Sequence, residues 1–333
     1  MRRAFLKRTV ALSALAALPP AWGQRPETFR IYAVTWRGKT QVEFGLQDHF
    51  GRQGMTVDFT WRDAAQKVAR LEEFVQEIKA ERPDLIYTWG TPPTLGIAGR
   101  YDAPNPERYV TDIPLIFALV ADPIGAKVVR SLKDQGRDIT GVSHVAPMSA
   151  QIETMRTYRK FTKVGVLYNA AEQNSVATAE SLRRLAAVQR FQVLEATFDR
   201  DADGKAIPTG IAEKVAALKL AGAEWLYLGP DTFLFSQLDR IAAAALEQRL
   251  ATFSATEAAL TTSAPVLTGL VSSYYTIGQF AGFKAEQILA KRMRARDIPI
   301  ETLTRYAFIV RIEVAKQLDL LPPVALFNYA IIR

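Results

Sequence analysis

Apolar positions along the chain follow two alternating rhythms. Short runs of apolar, β-branched or aromatic residues occur at FRIYAVTW (29–36), MTVDFTW (55–61), DLIYTW (84–89) and IPLIFAL (113–119), and each reads as a strand. Between them lie segments with apolar residues every third or fourth place. The clearest spans 63–81, where Val68, Leu71, Phe74, Val75 and Ile78 fall on one helical face. Strands alternating with helices predict a parallel sheet covered on both sides. After DITGVS (138–143) and a helix over 147–161 the alternation restarts with KVGVLYN (163–169), FQVLEATF (191–198), EWLYLG (224–229), LATFS (250–254) and PVLTGLV (265–271). The pattern therefore predicts an α/β chain of two doubly wound parallel-sheet lobes. A long helix over about 275–295 and a late strand, YAFIVRI (306–312), follow, and Pro322-Pro323 opens an irregular tail.

The first residues belong to neither rhythm. Arg2, Arg3, Lys7 and Arg8 precede an apolar run, TVALSALAAL (9–18), and Ala21-Trp22-Gly23 forms a small-x-small cleavage signal before Gln24. Residues 1–23 read as a secretory signal peptide cleaved near Gly23, because the apolar run falls well short of the roughly 20 residues that span a bilayer. RRAFLK (2–7) also resembles the twin-arginine export motif. By either route the expected location is periplasmic.

Removing that segment changes the charge picture. The 42 Lys+Arg against 34 Asp+Glu give a formal +8, and the four bases of the leader account for half of it. The remaining excess is mild and carries no basic block interleaved with aromatics, so nucleic-acid binding is not implied. Cysteine is absent, which excludes disulfides, thiolate metal sites, cysteine nucleophiles and a lipidated cysteine anchor. With only His49 and His144, zinc sites and histidine-relayed triads have little raw material, and no cofactor is expected.

In open α/β sheets the ligand crevice lies beyond the carboxyl ends of the strands. Those places hold Trp36, Trp61, Trp89-Gly90-Thr91, Ala121-Asp122-Pro123, Asn169, Asp231-Thr232-Phe233 and Tyr274. Trp36 and Trp89 are candidate walls for a flat or aromatic ligand, since rigid rings supply contact area at little entropic cost. Thr91 reads as the cap of a helix beginning TPPT, with Thr94 one turn on and free N–H groups aimed at the crevice, although Pro93 removes one donor. Asp122-Pro123 reads as the start of another helix, a pairing that helix starts favour whatever the function.

WGTPPTLG (89–96), IPLIFALVADPIGAKVVRSL (113–132), ITGVS (139–143), KVGVLYNAAE (163–172), LYLGPDTFLF (226–235) and FIVRIEVAKQLDLLPP (308–323) come in the order and spacing of one family. The chain resembles the solute-binding proteins of ABC transporters related to tryptophan- and other aromatic amino-acid-binding proteins, which have the type I periplasmic binding fold. The likeness runs from about residue 29 to about 325. It implies two lobes joined by a hinge, residues 24–143 plus about 274–297 in the first and 144–273 plus about 298–333 in the second. It implies a small-molecule solute held between them, an ABC permease in the inner membrane as partner, and a monomer with no catalytic residues. By position, Thr91 and its neighbours, Asp122 and Asp231 would face the cleft. Where members commonly place an acidic or amide residue before the paired tyrosines, this chain runs Val271-Ser272-Ser273 into Tyr274-Tyr275. The expected solute is therefore a small aromatic or planar carboxylate, bound by Trp36, Trp89, Thr91, Thr94, Asp122, Asn169, Asp231 and Tyr274.

Three other patterns compete with this reading. AVTWRGKT (33–40) approaches a phosphate-cradling loop, but its interior is bulky and its first glycine is Ala33; Lys39-Thr40 reads as a helix start. Asp199, Asp201 and Asp203 stand at calcium-loop spacing before Gly204, yet the twelfth position is Gly210 and not glutamate, so a solvated turn is the expectation and a structural cation the alternative. Ser143-His144 are strand neighbours and point to opposite faces. A ligand-sensing partner of a membrane receptor and an exported α/β hydrolase are the alternative functions.

Overall fold

A computed structural model describes residues 28–333, so the leader and its cleavage site lie outside the described residues. The chain opens with β1 (Thr28–Thr35), α1 (Gln41–Arg52), β2 (Thr56–Asp63), α2 (Ala69–Glu81), β3 (Leu85–Trp89), α3 (Thr91–Ala98), β4 (Leu115–Ala118) and β5 (Ile139–Ser143). It continues with α4 (Met148–Tyr158), β6 (Lys163–Tyr168), α5 (Gln173–Gln189), β7 (Gln192–Thr197), a small hairpin of β8 (Asp199–Arg200) and β9 (Ala206–Ile207), and α6 (Ile211–Leu220). Then come β10 (Trp225–Leu228), α7 (Thr232–Ser236), α8 (Leu238–Glu247), β11 (Ala251–Ser254), α9 (Glu257–Leu260), β12 (Thr268–Val271) and α10 (Tyr274–Leu289). The closing elements are β13 (Glu301–Thr302), β14 (Ala307–Val310), α11 (Ile312–Leu318) and β15 (Ile331–Ile332).

Two sheets result. The first has the order β13-β5-β4-β3-β1-β2 and the second β15-β14-β12-β11-β10-β6-β7; every pairing within them is parallel except β12 with β14. Both are the doubly wound sheets the alternation predicts. The central strands β3, β4, β10 and β11 are buried along their whole length, as their unbroken apolar runs require of strands covered on both faces. The chain passes between the sheets three times, after β5, after β12 and after β13. An isolated antiparallel bridge, Val145 to Val271, ties the first two crossings together. α10 packs on α1 of the first sheet at very short range. A Cβ on Gly278 would strike the Val42 carbonyl oxygen, and one on Gly45 the Tyr275 carbonyl oxygen.

Several boundaries differ from the sequence pattern. The helix expected over 63–81 starts at Ala69: Asp63 still pairs with Thr35 in the sheet, Ala65 and Gln66 adopt left-handed backbone, and Val68 is exposed. No helix follows Asp122-Pro123; a run of turns takes its place, with the Asp122 Oδ1 accepting the Gly125 N–H at 2.8 Å. The long helix ends at Leu289 and not near 295. Residues 298–302, expected in the second lobe, stay with the first, because β13 pairs with β5. The irregular tail ends in a strand, β15, paired with β14. Lys39-Thr40 does lead into a helix: the Thr40 Oγ1 accepts the Val42 N–H at 3.3 Å and the Glu43 Oε2 accepts the Thr40 N–H at 2.6 Å, closing a capping box.

Candidate ligand-binding cleft

The carboxyl ends of β1, β3, β4 and β5 face those of β6, β10 and β11 across a cavity. Its walls are Arg37, Trp89–Pro92, Leu119 and Ala121 from the first sheet's side and Glu172, Asn174, Leu228–Thr232, Phe235, Ser254 and Thr256 from the second's. His144 and Tyr274, at the first two crossings, close its back; their rings meet edge to face at 6.1 Å. The free space between these walls is about 60 Å³. That is room for a few waters, so a planar solute is admitted only if Arg37 moves aside or the lobes part.

Arg37 sits at the centre. Its guanidinium lies 3.7 Å from the Phe235 ring centroid and 5.0 Å from that of Trp89, a planar cation between two aromatic faces contributed by opposite lobes. It has no hydrogen bond or ion pair with any described residue. Burial lowers its pKa, while Tyr274 and Glu172 pull the other way. Trp89 is held in place by its Nε1–H, which donates to the Thr40 Oγ1 at 3.2 Å. Burial, reinforced by Arg37, pushes His144 down to about 3, which leaves a neutral imidazole whose Nδ1 is buried without a partner.

Two carboxyl groups share the second wall. Asp231 caps α7, its Oδ1 accepting the Leu234 N–H at 2.8 Å and its Oδ2 the Asn169 N–H at 2.6 Å. Glu172, one residue before α5, accepts the Thr232 hydroxyl at 2.7 Å and the Thr232 N–H at 3.0–3.2 Å. Burial first, then the Asp231 charge, push the Glu172 carboxyl up to about 7. Burial raises Asp231 as well.

Of the residues expected to bind ligand, Trp89, Thr91, Asp231 and Tyr274 line the cavity. The others do not. Trp36 packs into the first core at 5% exposure, Thr94 is fully buried with its hydroxyl on the Gly90 carbonyl at 2.7 Å, and Asn169 turns its Oδ1 to the Ala171 N–H at 2.9 Å. Asp122 lies in a neighbouring recess with Val145 and Gln151. Thr91 is not the helix cap: Gly90 is, at φ 84°, a conformation costly for threonine, and this places Thr91 in the first turn. Asp199 pairs with Lys214 at 2.9 Å and Asp201 binds the N–H groups of Asp203 and Lys205, so the calcium-like run is the turn between β8 and β9. Among the described residues no group of three His, Cys, Asp or Glu could hold a metal. Arg37, Glu172 and Phe235 escaped sequence reasoning. Each stands within a few residues of a strand's carboxyl end or, for Phe235, in the short helix that follows one, the region where ligands sit in such sheets, and its charge or aromaticity is the signal the sequence carries.

A family model described as ABC transporter substrate binding protein matches residues 38–331. The chain belongs to that family. Its members are substrate-binding proteins of ABC transporters. The chain is 26% identical over 277 residues to a tyrosine-binding protein of Clostridioides difficile, covering 83% of this chain and 74% of the relative. Among solved structures it is similar to an ABC domain in complex with L-Trp from Streptococcus pneumonia, with TM-score 0.78, 19% identity, and 92% and 100% of the two chains covered. A conserved domain protein from Vibrio cholerae gives TM-score 0.78 at 21% identity over 92% and 99%. These likenesses identify the fold as the type I periplasmic binding architecture.

Proposed function

We propose that this chain is the extracytoplasmic solute-binding component of an ABC importer, and that it captures a small carboxylate with an aromatic or planar body between its lobes. The observation that carries this reading is Arg37: a guanidinium with unused donors, held between Trp89 and Phe235 in the cleft between the two sheets. Five N–H groups in a rigid fork suit a carboxylate, and the rings beside them suit a planar body. Tyr274 adds a third aromatic surface, and the hydroxyls of Thr91 and Thr256 add hydrogen-bonding capacity. The tyrosine-binding relative supports the same solute class.

On this reading residues 1–23 direct export and are removed near Gly23. The two lobes close about the crossings at Val145 and Val271, and a membrane permease receives the solute from the closed form. A thermal-shift and calorimetric panel on the mature protein tests it. Aromatic amino acids and aromatic acids should raise Tm and bind, whereas sugars and aliphatic amines should not. A hit confined to sugars or to cations would overturn the proposal.

A further inference from the structure

The ionisable groups lining the cleft are Arg37, His144, Glu172, Asp231 and Tyr274. Burial keeps His144 neutral and pushes Tyr274 up to about 12, so neither changes charge near neutral pH. Arg37 stays cationic. The two carboxyl groups are left, and their geometry differs. Both Asp231 oxygens are committed to backbone N–H groups that build α7 and fix the loop after β6. Glu172 is held by Thr232, whose N–H is shared between its oxygens and whose hydroxyl meets Oε1, with the Asn174 side chain as a further hydrogen-bond partner. A carboxylate has about four acceptor sites. The Glu172 carboxyl group therefore keeps acceptor capacity beyond these contacts, on a residue that lines the cavity.

We propose that Glu172 is the acceptor for a cationic amino group on the solute, and that seating such a solute expels one proton from Glu172 to solvent. This rests on the reading of the cleft as a carboxylate site and narrows it to zwitterions. Local pairing supports it. A zwitterion brings its carboxylate to Arg37 and its ammonium to Glu172, and the ammonium is matched only if Glu172 ionises. Two neighbouring buried carboxyl groups resist ionising together, so the proton is present to be lost near neutral pH. A solute with no amino group leaves it in place.

The test compares L-tyrosine with 3-(4-hydroxyphenyl)propanoate by calorimetry at pH 6 and pH 8, in two buffers of different ionisation enthalpy. L-Tyrosine should bind about tenfold more tightly at pH 8 than at pH 6, because the pH 6 protein must give up a proton first. At pH 6 its heat should shift between buffers by nearly one proton's ionisation. The des-amino acid should show neither effect. Glu172→Gln should remove the pH dependence and weaken L-tyrosine at pH 8 by roughly 10- to 100-fold, the loss of a charge-assisted hydrogen bond. The wild-type buffer series stands even if the variant misfolds. Binding of both solutes with no proton release and no pH dependence would overturn the role of Glu172 and leave the carboxylate site intact. Binding of neither would overturn both.

Discussion

Replacing Arg37 with methionine separates a binding guanidinium from a structural one. Methionine keeps an unbranched apolar stem and removes the five donors and the charge. If a solute carboxylate takes two charge-assisted hydrogen bonds from Arg37, each is worth about 1.5–3 kcal/mol, so Kd should rise by about 3–6 kcal/mol in free-energy terms, roughly 150- to 25,000-fold. Stability should move far less. The variant loses stacking on Phe235 at 3.7 Å and on Trp89 at 5.0 Å, about 0.5–2 kcal/mol per contact. It also escapes the cost of holding an unpaired cation in a partly buried cleft, visible in the lowered pKa of Arg37, and this offsets much of that loss. The expected change in unfolding free energy is within about 1 kcal/mol. Calorimetry for Kd and urea unfolding on the same sample read the two quantities. Unaltered affinity alongside a stability loss of several kcal/mol would mean that Arg37 only latches the lobes, and the carboxylate assignment would fall.

The two strand-end tryptophans should behave in opposite ways. Trp36→Ala should lower the unfolding free energy by about 3–5 kcal/mol in urea titrations and leave the affinity of the remaining folded protein unchanged, whereas Trp89→Phe should be mild in stability and abolish most of the tryptophan fluorescence response to solute. Gly278→Ala should cost about 1–3 kcal/mol, measured by thermal and urea unfolding, because its methyl group meets the backbone of α1 and not a side chain that can turn away; a neutral result would show that α10 rides more loosely on α1 than its geometry states.

Most of the fold is legible in the sequence because its strands are short, apolar and evenly separated by helical periods. What escaped was set by partners far away in the chain. At two residues each, Glu301-Thr302 and Ile331-Ile332 are too short to read as strands until β5 and β14 lie beside them with free edges. Periodicity could not show that β2 runs on through Asp63, because that depends on Thr35 across the ladder. The site divides along the same line. The rule that ligands sit past the carboxyl ends of strands located Trp89, Thr91, Asp231 and Tyr274. It could not separate Trp36, which folds back into the core, from Arg37 beside it, which turns out into the cleft. The acidic partner absent before Tyr274 has a counterpart from another segment, Glu172, which only the facing of the two sheets brings into view.

The way the chain shuttles between its sheets bears on how it is made. The lobe begun first is finished nearly last: the face of α1 around Val42, Gly45 and Leu46 stays open until α10, synthesised after almost all of the second lobe, arrives to cover it. The edge of that first sheet waits longer still, for β13, and the second sheet is not complete until β14 and β15 emerge. Neither half can therefore reach its final structure during synthesis of its own segment. Closing such long loops slows folding and leaves apolar helix faces and strand edges open to misassociation. The topology that places the cleft between the two sheets thus also makes the molecule a single late-closing unit.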